Sequence, residues 1–135
     1  MHRLFLDANI LFSTAYRPDA GLVQFWELKD TILCSSRYAI EEARINLAED
    51  AQRRRLLKLA RHVHLFEAAS RELPAGLTLP EKDIPIFLAA IEARATHLIT
   101  GDVRHFGLYF NKQIAGVLVM SPADYFKKHA RMTSS

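Results

Sequence analysis

"HLITGD", residues 97–102, is an apolar run that breaks off at Thr100-Gly101-Asp102. Read as a buried strand, it delivers a hydroxyl and a carboxylate to its carboxyl end. "RLFLDAN", residues 3–9, closes the same way, on Asp7 and Asn9. A single aspartate after a strand is ordinary turn chemistry. Two such endings, with further acids spaced between them, point to a shared site.

Five short apolar runs read as strands: 3–7, 31–35, 63–66, 97–101 and 116–120. They are almost continuously hydrophobic, as strands covered on both faces of a parallel sheet are. Helical patterns fall between them, over 9–16, 20–29, 37–48, 50–61, 83–95 and 122–130. Ser121-Pro122 has the form of an N-cap followed by a first-turn proline. This alternation predicts a three-layer α/β/α sandwich around a central parallel sheet of about five strands, with right-handed crossovers. Residues 68–82 form the one long irregular stretch, expected as a surface loop. A single domain over 1–130 is expected, with 131–135 as a frayed tail.

In a parallel sheet the loops that follow the strands share one edge, and ligands bind there. Asp7 ends the first strand and Asp102 the fourth. Glu42 lies in the helix after the second strand, and Asp83 opens the helix after the third. Four acids from four segments therefore fall on one edge. Gathered carboxylates repel one another, and a divalent cation is the simplest compensation. An oxygen donor set without a cysteine cluster or paired histidines suits Mg²⁺ or Mn²⁺ rather than Zn²⁺. Asn9 and Thr100 add neutral oxygens for water or a substrate phosphate. Taken singly, each acid also reads as a loop residue, an N-cap or an exposed helix position.

The chain has 135 residues, half of them hydrophobic, and a net charge of +3. That length suits one domain that buries about two-thirds of its unfolded surface. No apolar run nears the roughly 20 residues needed to cross a bilayer. The start has no long apolar stretch with a cleavage site. Cys34, the lone cysteine, permits no internal disulfide, so a reducing cytoplasm is the expected compartment. It is expected to be buried as a small hydrophobe. The mild positive charge fits a polyanion surrounding an acidic pocket but does not by itself require one. Arg53, Arg54, Arg55, Lys58 and Arg61 decorate the helix over 50–61, either as a solvated face or as contacts for phosphates.

Taken together, "FLDANIL", "EEARINL", "DIPIFLAAIEARATHLITGD" and "VRHF" resemble the PIN-domain nucleases, most closely the bacterial VapC-like toxins of toxin–antitoxin modules. The resemblance spans residues 3 to about 125. It implies that Asp7, Glu42, Asp83 and Asp102 form the family's acidic quartet, with Asn9 and Thr100 at its accessory polar positions. Glu41 stands beside Glu42, which the resemblance favours because family members usually place the ligand directly before a small or apolar residue, as Ala43 is here. The family implies metal-dependent cleavage of RNA that leaves a 5′-phosphate and a 3′-hydroxyl. One metal would be held mainly by Asp7 and Asp102, and a second near Glu42 and Asp83. It also implies a small antitoxin as partner and commonly a homodimer. Val103, Arg104 and His105 follow Asp102 where some members carry a further acid, so a second metal would be held weakly. Arg104 and His105 are further candidates for RNA contact.

Two other acid-edged α/β families fit less well. A response-regulator receiver needs paired acids at strand 1 and a lysine ending strand 5, where this chain has "VMSPAD". A haloacid-dehalogenase-like phosphatase needs a second aspartate two residues after the first, where Asn9 stands. The remaining rival is a PIN fold kept as an RNA- or protein-binding scaffold with little or no catalysis.

Overall fold

The computed structural model describes residues 1–69 and 72–129. The expected frayed tail and the last residue of the expected 122–130 helix lie outside these. Six strands form one sheet: β1 (His2–Leu6), β2 (Thr31–Ser35), β3 (His64–Leu65), β4 (His97–Ile99), β5 (Gln113–Ile114) and β6 (Val117–Met120). Their order is β3-β2-β1-β4-β6-β5. Every pairing is parallel except β5 with β6. Leu4, Phe5 and Leu6 of β1 are fully buried, as are Leu98 and Ile99 of β4 and Val119 of β6. Burial on both faces is why these runs show no polar alternation. Cys34 is buried among them and free.

The helices are α1 (Ala8–Tyr16), α2 (Arg37–Asn46), α3 (Asp50–Ala60), α4 (Ile84–Glu92), α5 (Val103–Phe106) and α6 (Pro122–Lys128). As the chain steps outward from β1 to β2 to β3, right-handed crossovers lay α1, α2 and α3 over one face. These three pack against one another. The return past β1 to β4 carries α4 over the other face, where Ile86, Phe87, Ala89 and Ala90 are buried. The architecture is the expected α/β/α sandwich. Strand order reverses between β1 and β4, and the crevice at their carboxyl ends is where such sheets bind ligands.

Among the described residues the sheet has six strands, in keeping with the expected about five; β5 has only two residues, too few for a periodic signal. Two local expectations are corrected. Ala115-Gly116, with φ of 51° and 83°, turns the chain into β6, so Gly116 belongs to a hairpin turn and not to a strand. The turn has the positive φ values of a two-residue type I′ connection. Residues 20–29 do not form an α-helix but a 3₁₀ helix over Gly21–Glu27. Leu22 and Phe25, with Leu28 just beyond, pack on the core at every third position, which matches three residues per turn, and Trp26 packs beside them.

The opposite edge, where β1 and β4 begin, gathers His2, His97, His129 and Tyr125. The His2 ring lies 4.6 Å from the rings of both His97 and His129. Burial holds the His97 imidazole down to about 4, and the neighbouring His2 and His129 add to this. Burial likewise lowers His2 and His129. No described helix is long and apolar enough to cross a membrane.

Candidate metal centre

Asp7 sits where β1 hands over to α1, as the N-cap of that helix. It is 3% exposed. Its Oδ1 accepts from the Ala8 N–H at 2.7 Å. Its Oδ2 accepts from the Thr100 hydroxyl at 2.7 Å and from Asn9 Nδ2 at 2.9 Å. Thr100 Oγ1 in turn accepts from the Asp102 N–H, and Asn9 Oδ1 accepts from the Gly101 N–H. The two strand endings are thereby stitched into one unit. Asn9 and Thr100 act on the Asp7 carboxylate, since the Thr100 hydroxyl is fully buried and is engaged there rather than turned toward a phosphate.

Glu42 comes from α2, whose N-terminus is capped by the Ser36 hydroxyl. Ala39 and Ala43 press that helix on the core. Glu42 faces the pocket, while Glu41 points outward to an ion pair with Arg44. Asp83 closes a 3₁₀ turn, Glu81–Asp83, that leads into α4, with Pro85 in the first helical turn where it costs no hydrogen bond. The Tyr38 hydroxyl donates to the Lys82 carbonyl and ties this turn to α2. Asp102 caps α5, its Oδ1 accepting from the His105 N–H at 3.0 Å. The geometry thus brings Asp7, Glu42, Asp83 and Asp102 to one pocket of about 340 Å³, together with Asn9, Asn46 and Lys82.

Burial and crowding shift Asp7, Glu42 and Asp83 upward. Burial raises the Asp7 carboxyl to about 6; hydrogen bonds from Thr100 and Ala8 oppose the rise, and Asp83 and Glu42 add to it. Glu42 is raised by burial first, with Lys82 opposing and Asp83 and Asp102 adding. Asp83 is raised by burial, against the pull of His105 and Lys82, with Asp102 adding. Carboxylates held in this way are poised to release protons to a cation.

His105, a candidate RNA contact beside the site in the sequence, turns into the acids. Its Nδ1 lies 2.8 Å from both Asp83 Oδ2 and Asp102 Oδ2. One ring N–H cannot serve two carboxylates, and Asp83 Oδ2 and His105 Nδ1 are both buried without an aligned hydrogen bond. Unsatisfied buried atoms of this kind are costly unless another partner meets them. Among the described residues, the ligand atoms of Asp83, Asp102 and His105 all lie within 4.8 Å of one another. Asp7 and Glu42 line the pocket outside that trio. The donors fit a divalent cation of the Mg²⁺ or Mn²⁺ kind, with one imidazole that Mn²⁺ accepts more readily.

Sequence reasoning did not single out Lys82, Asn46 or Tyr38. Lys82 adjoins Asp83, and Asn46 stands four residues after Glu42 on the same helical face, so spacing alone was enough to find Asn46. Of the proposed RNA contacts, Arg104 and Arg54 are exposed. Arg53 is partly buried and its Nε donates to the Leu47 carbonyl. Lys58 lines a separate hollow with Trp26, Thr31 and His64, at the end where β2 begins.

In sequence, the chain matches no protein-family model and no curated protein. In structure, it is similar to a chain of the crystal structure of VapBC2 from Rickettsia felis bound to a DNA fragment from their promoter. That match has a TM-score of 0.66 and 15% identity, and covers 88% of this chain and 98% of the other. Identity at that level speaks for the fold, and the fold shared with that chain is the PIN-like α/β/α sandwich.

Proposed function

We propose that this protein is a metal-dependent endoribonuclease that hydrolyses RNA phosphodiester bonds to a 5′-phosphate and a 3′-hydroxyl. The observation that carries this reading is the convergence of Asp7, Glu42, Asp83 and Asp102 on one pocket at the sheet's carboxyl edge. Asp83, Asp102 and His105 would hold Mg²⁺ or Mn²⁺, with Asp7 and Glu42 facing it directly or through water. A bound ion of this kind supplies positive charge to the phosphate and acidifies water, so no side-chain nucleophile is needed. The chain's own part is to fix the acids. Thr100, Asn9 and the Ala8 N–H hold Asp7 against rotation. Glu42, half-buried and raised, is the carboxylate placed to take a proton from attacking water. Lys82 at the pocket and Arg104 on α5 supply cations for the phosphates flanking the cut.

The likeness to a VapBC2 chain supports a further reading: a toxin of a toxin–antitoxin pair, acting in the cytoplasm as a homodimer with a small antitoxin as partner. The test is incubation of the chain with a panel of RNAs in Mg²⁺, Mn²⁺ or EDTA. Cleavage is expected with either metal and none with EDTA. Asp102→Asn should lower it by about 100-fold. RNA that is bound but never cut under any metal condition would overturn the nuclease reading in favour of the scaffold.

A further inference from the structure

The amino edge of the sheet carries a second cluster of donors that the acid pocket does not use. His2 opens β1 and His97 opens β4. Because Leu4 pairs with His97, His2 lies two residues along on the same face, the diagonal neighbour across the strands. His129 arrives from just beyond α6, anchored by the buried ring of Tyr125, which stands 4.5 Å from the His129 ring and 5.2 Å from that of His97. One ring nitrogen from each histidine lies within 4.8 Å of the other two.

Hydrogen bonds already engage one nitrogen on two of these rings. Thr96 Oγ1, bonded to both the N–H and the carbonyl of Arg3, also lies 2.8 Å from His97 Nδ1, which leaves Nε2 as the nitrogen for a further ligand. His2 Nδ1 is engaged with the Tyr125 hydroxyl at 2.7 Å, so Nε2 is the nitrogen left for a metal, and binding there places the ring proton on Nδ1 for donation to Tyr125. His129 Nε2 is buried and has no hydrogen-bond partner. Outer partners of this type, holding one ring nitrogen and freeing the other, are how metal-binding imidazoles are oriented.

We propose that His2, His97 and His129 form a second metal site, which takes Zn²⁺ or a cation of similar chemistry through three imidazole nitrogens, with water as the fourth ligand. Nitrogen donors without carboxylate exclude Mg²⁺ and favour the zinc class. Zn–N bonds of about 2.0–2.1 Å put tetrahedral nitrogens about 3.3 Å apart. The rings need close by only about 1.5 Å, within reach of side-chain rotation. The N-terminal ammonium and Lys128 stand near and oppose a dication, so the site is weaker than one bearing a carboxylate. The five residues of β1 span about 16 Å, so the two sites cannot share an ion. Filled, this site would pin the end of α6 to the sheet.

The test strips the full chain with chelator, then titrates Zn²⁺ against a chromophoric competitor and Co²⁺ by visible absorption. The variants are His129→Ala, His2→Gln and the acid-pocket double variant Asp83→Asn/His105→Ala, each checked for folding by circular dichroism. One equivalent of Zn²⁺ and an intense tetrahedral Co²⁺ band should persist in the acid-pocket variant. Introduced into that acid-pocket variant, both histidine variants should weaken Zn²⁺ by at least about tenfold and lose the band. Zn²⁺ binding that survives both histidine variants, disappears with the acid-pocket variant, or is absent from the stripped native chain would each overturn the proposal.

Discussion

Asp7 is where stability and the proposed chemistry conflict most. Its carboxyl is raised from an ordinary 3.8 to about 6 by burial, so the folded state holds that proton more tightly than the unfolded chain does. Stability from this group therefore increases as pH falls from about 6 toward about 4. At neutral pH the full penalty is present, about 3 kcal/mol. Asp7→Asn removes the charge but gives up part of the Thr100 and Asn9 bonding. In EDTA it should stabilise the protein at pH 7 by about 1–2 kcal/mol and flatten the stability profile between pH 4 and 6, read by denaturant melts. A second contrast separates two adjacent acids. Glu42→Gln should abolish RNA cleavage, whereas Glu41→Gln, which loses only the exposed Arg44 pair, should leave both cleavage and stability unchanged.

At the scale of the element, the basic helix α3 divides into two sets of side chains. Arg55 Nε donates to the Ala15 carbonyl and its Nη2 to that of Tyr16, at the end of α1. Arg53 does the same for the Leu47 carbonyl at the end of α2. Cations there satisfy orphan carbonyls and complement the helix dipole. Arg55→Gln should thus cost about 1–2 kcal/mol in thermal unfolding, and exposed Arg54→Gln less than about 0.5 kcal/mol. The hairpin offers the reverse effect. Ala115 holds φ of 51° before Gly116, and Ala115→Asn gives the Asn-Gly pair such turns favour, with a gain of about 0.5–1 kcal/mol expected. The strand and helix alternation was legible because every long strand is buried on both faces and every long helix has an apolar stripe. What stayed hidden was short or local: the two-residue β5, and the 3₁₀ segment, whose three-residue spacing of Leu22, Phe25 and Leu28 also fits a helix over one turn.

For the whole molecule, topology did most of the predictive work. Four acids far apart in sequence lie on one edge because a parallel sheet has only one carboxyl edge, and that much of the site follows from strand order alone. Glu42 was preferred to Glu41 because Ala43 follows it, and the helix phase set by buried Ala39 and Ala43 does turn Glu42 to the pocket. The inward turn of His105 depends on the α5 cap, which leaves no mark in composition or hydrophobic period. Lys82 lines the pocket, and Arg104 is exposed on α5, two residues from Asp102. Changing both to Gln should flatten the salt dependence of RNA binding by about 0.7 per lost phosphate contact. The same change at Arg54 and Lys58 should leave the slope as it is. The most direct measurement of the central claim is calorimetric titration of Mn²⁺ into the chain at pH 7.5 and 5.5. Binding is expected at pH 7.5 and should weaken on acidification, as Asp7 takes up a proton near pH 6. Asp83→Asn should abolish it. Mn²⁺ binding that is absent at both pH values, or indifferent to pH and to Asp83→Asn, would contradict that claim.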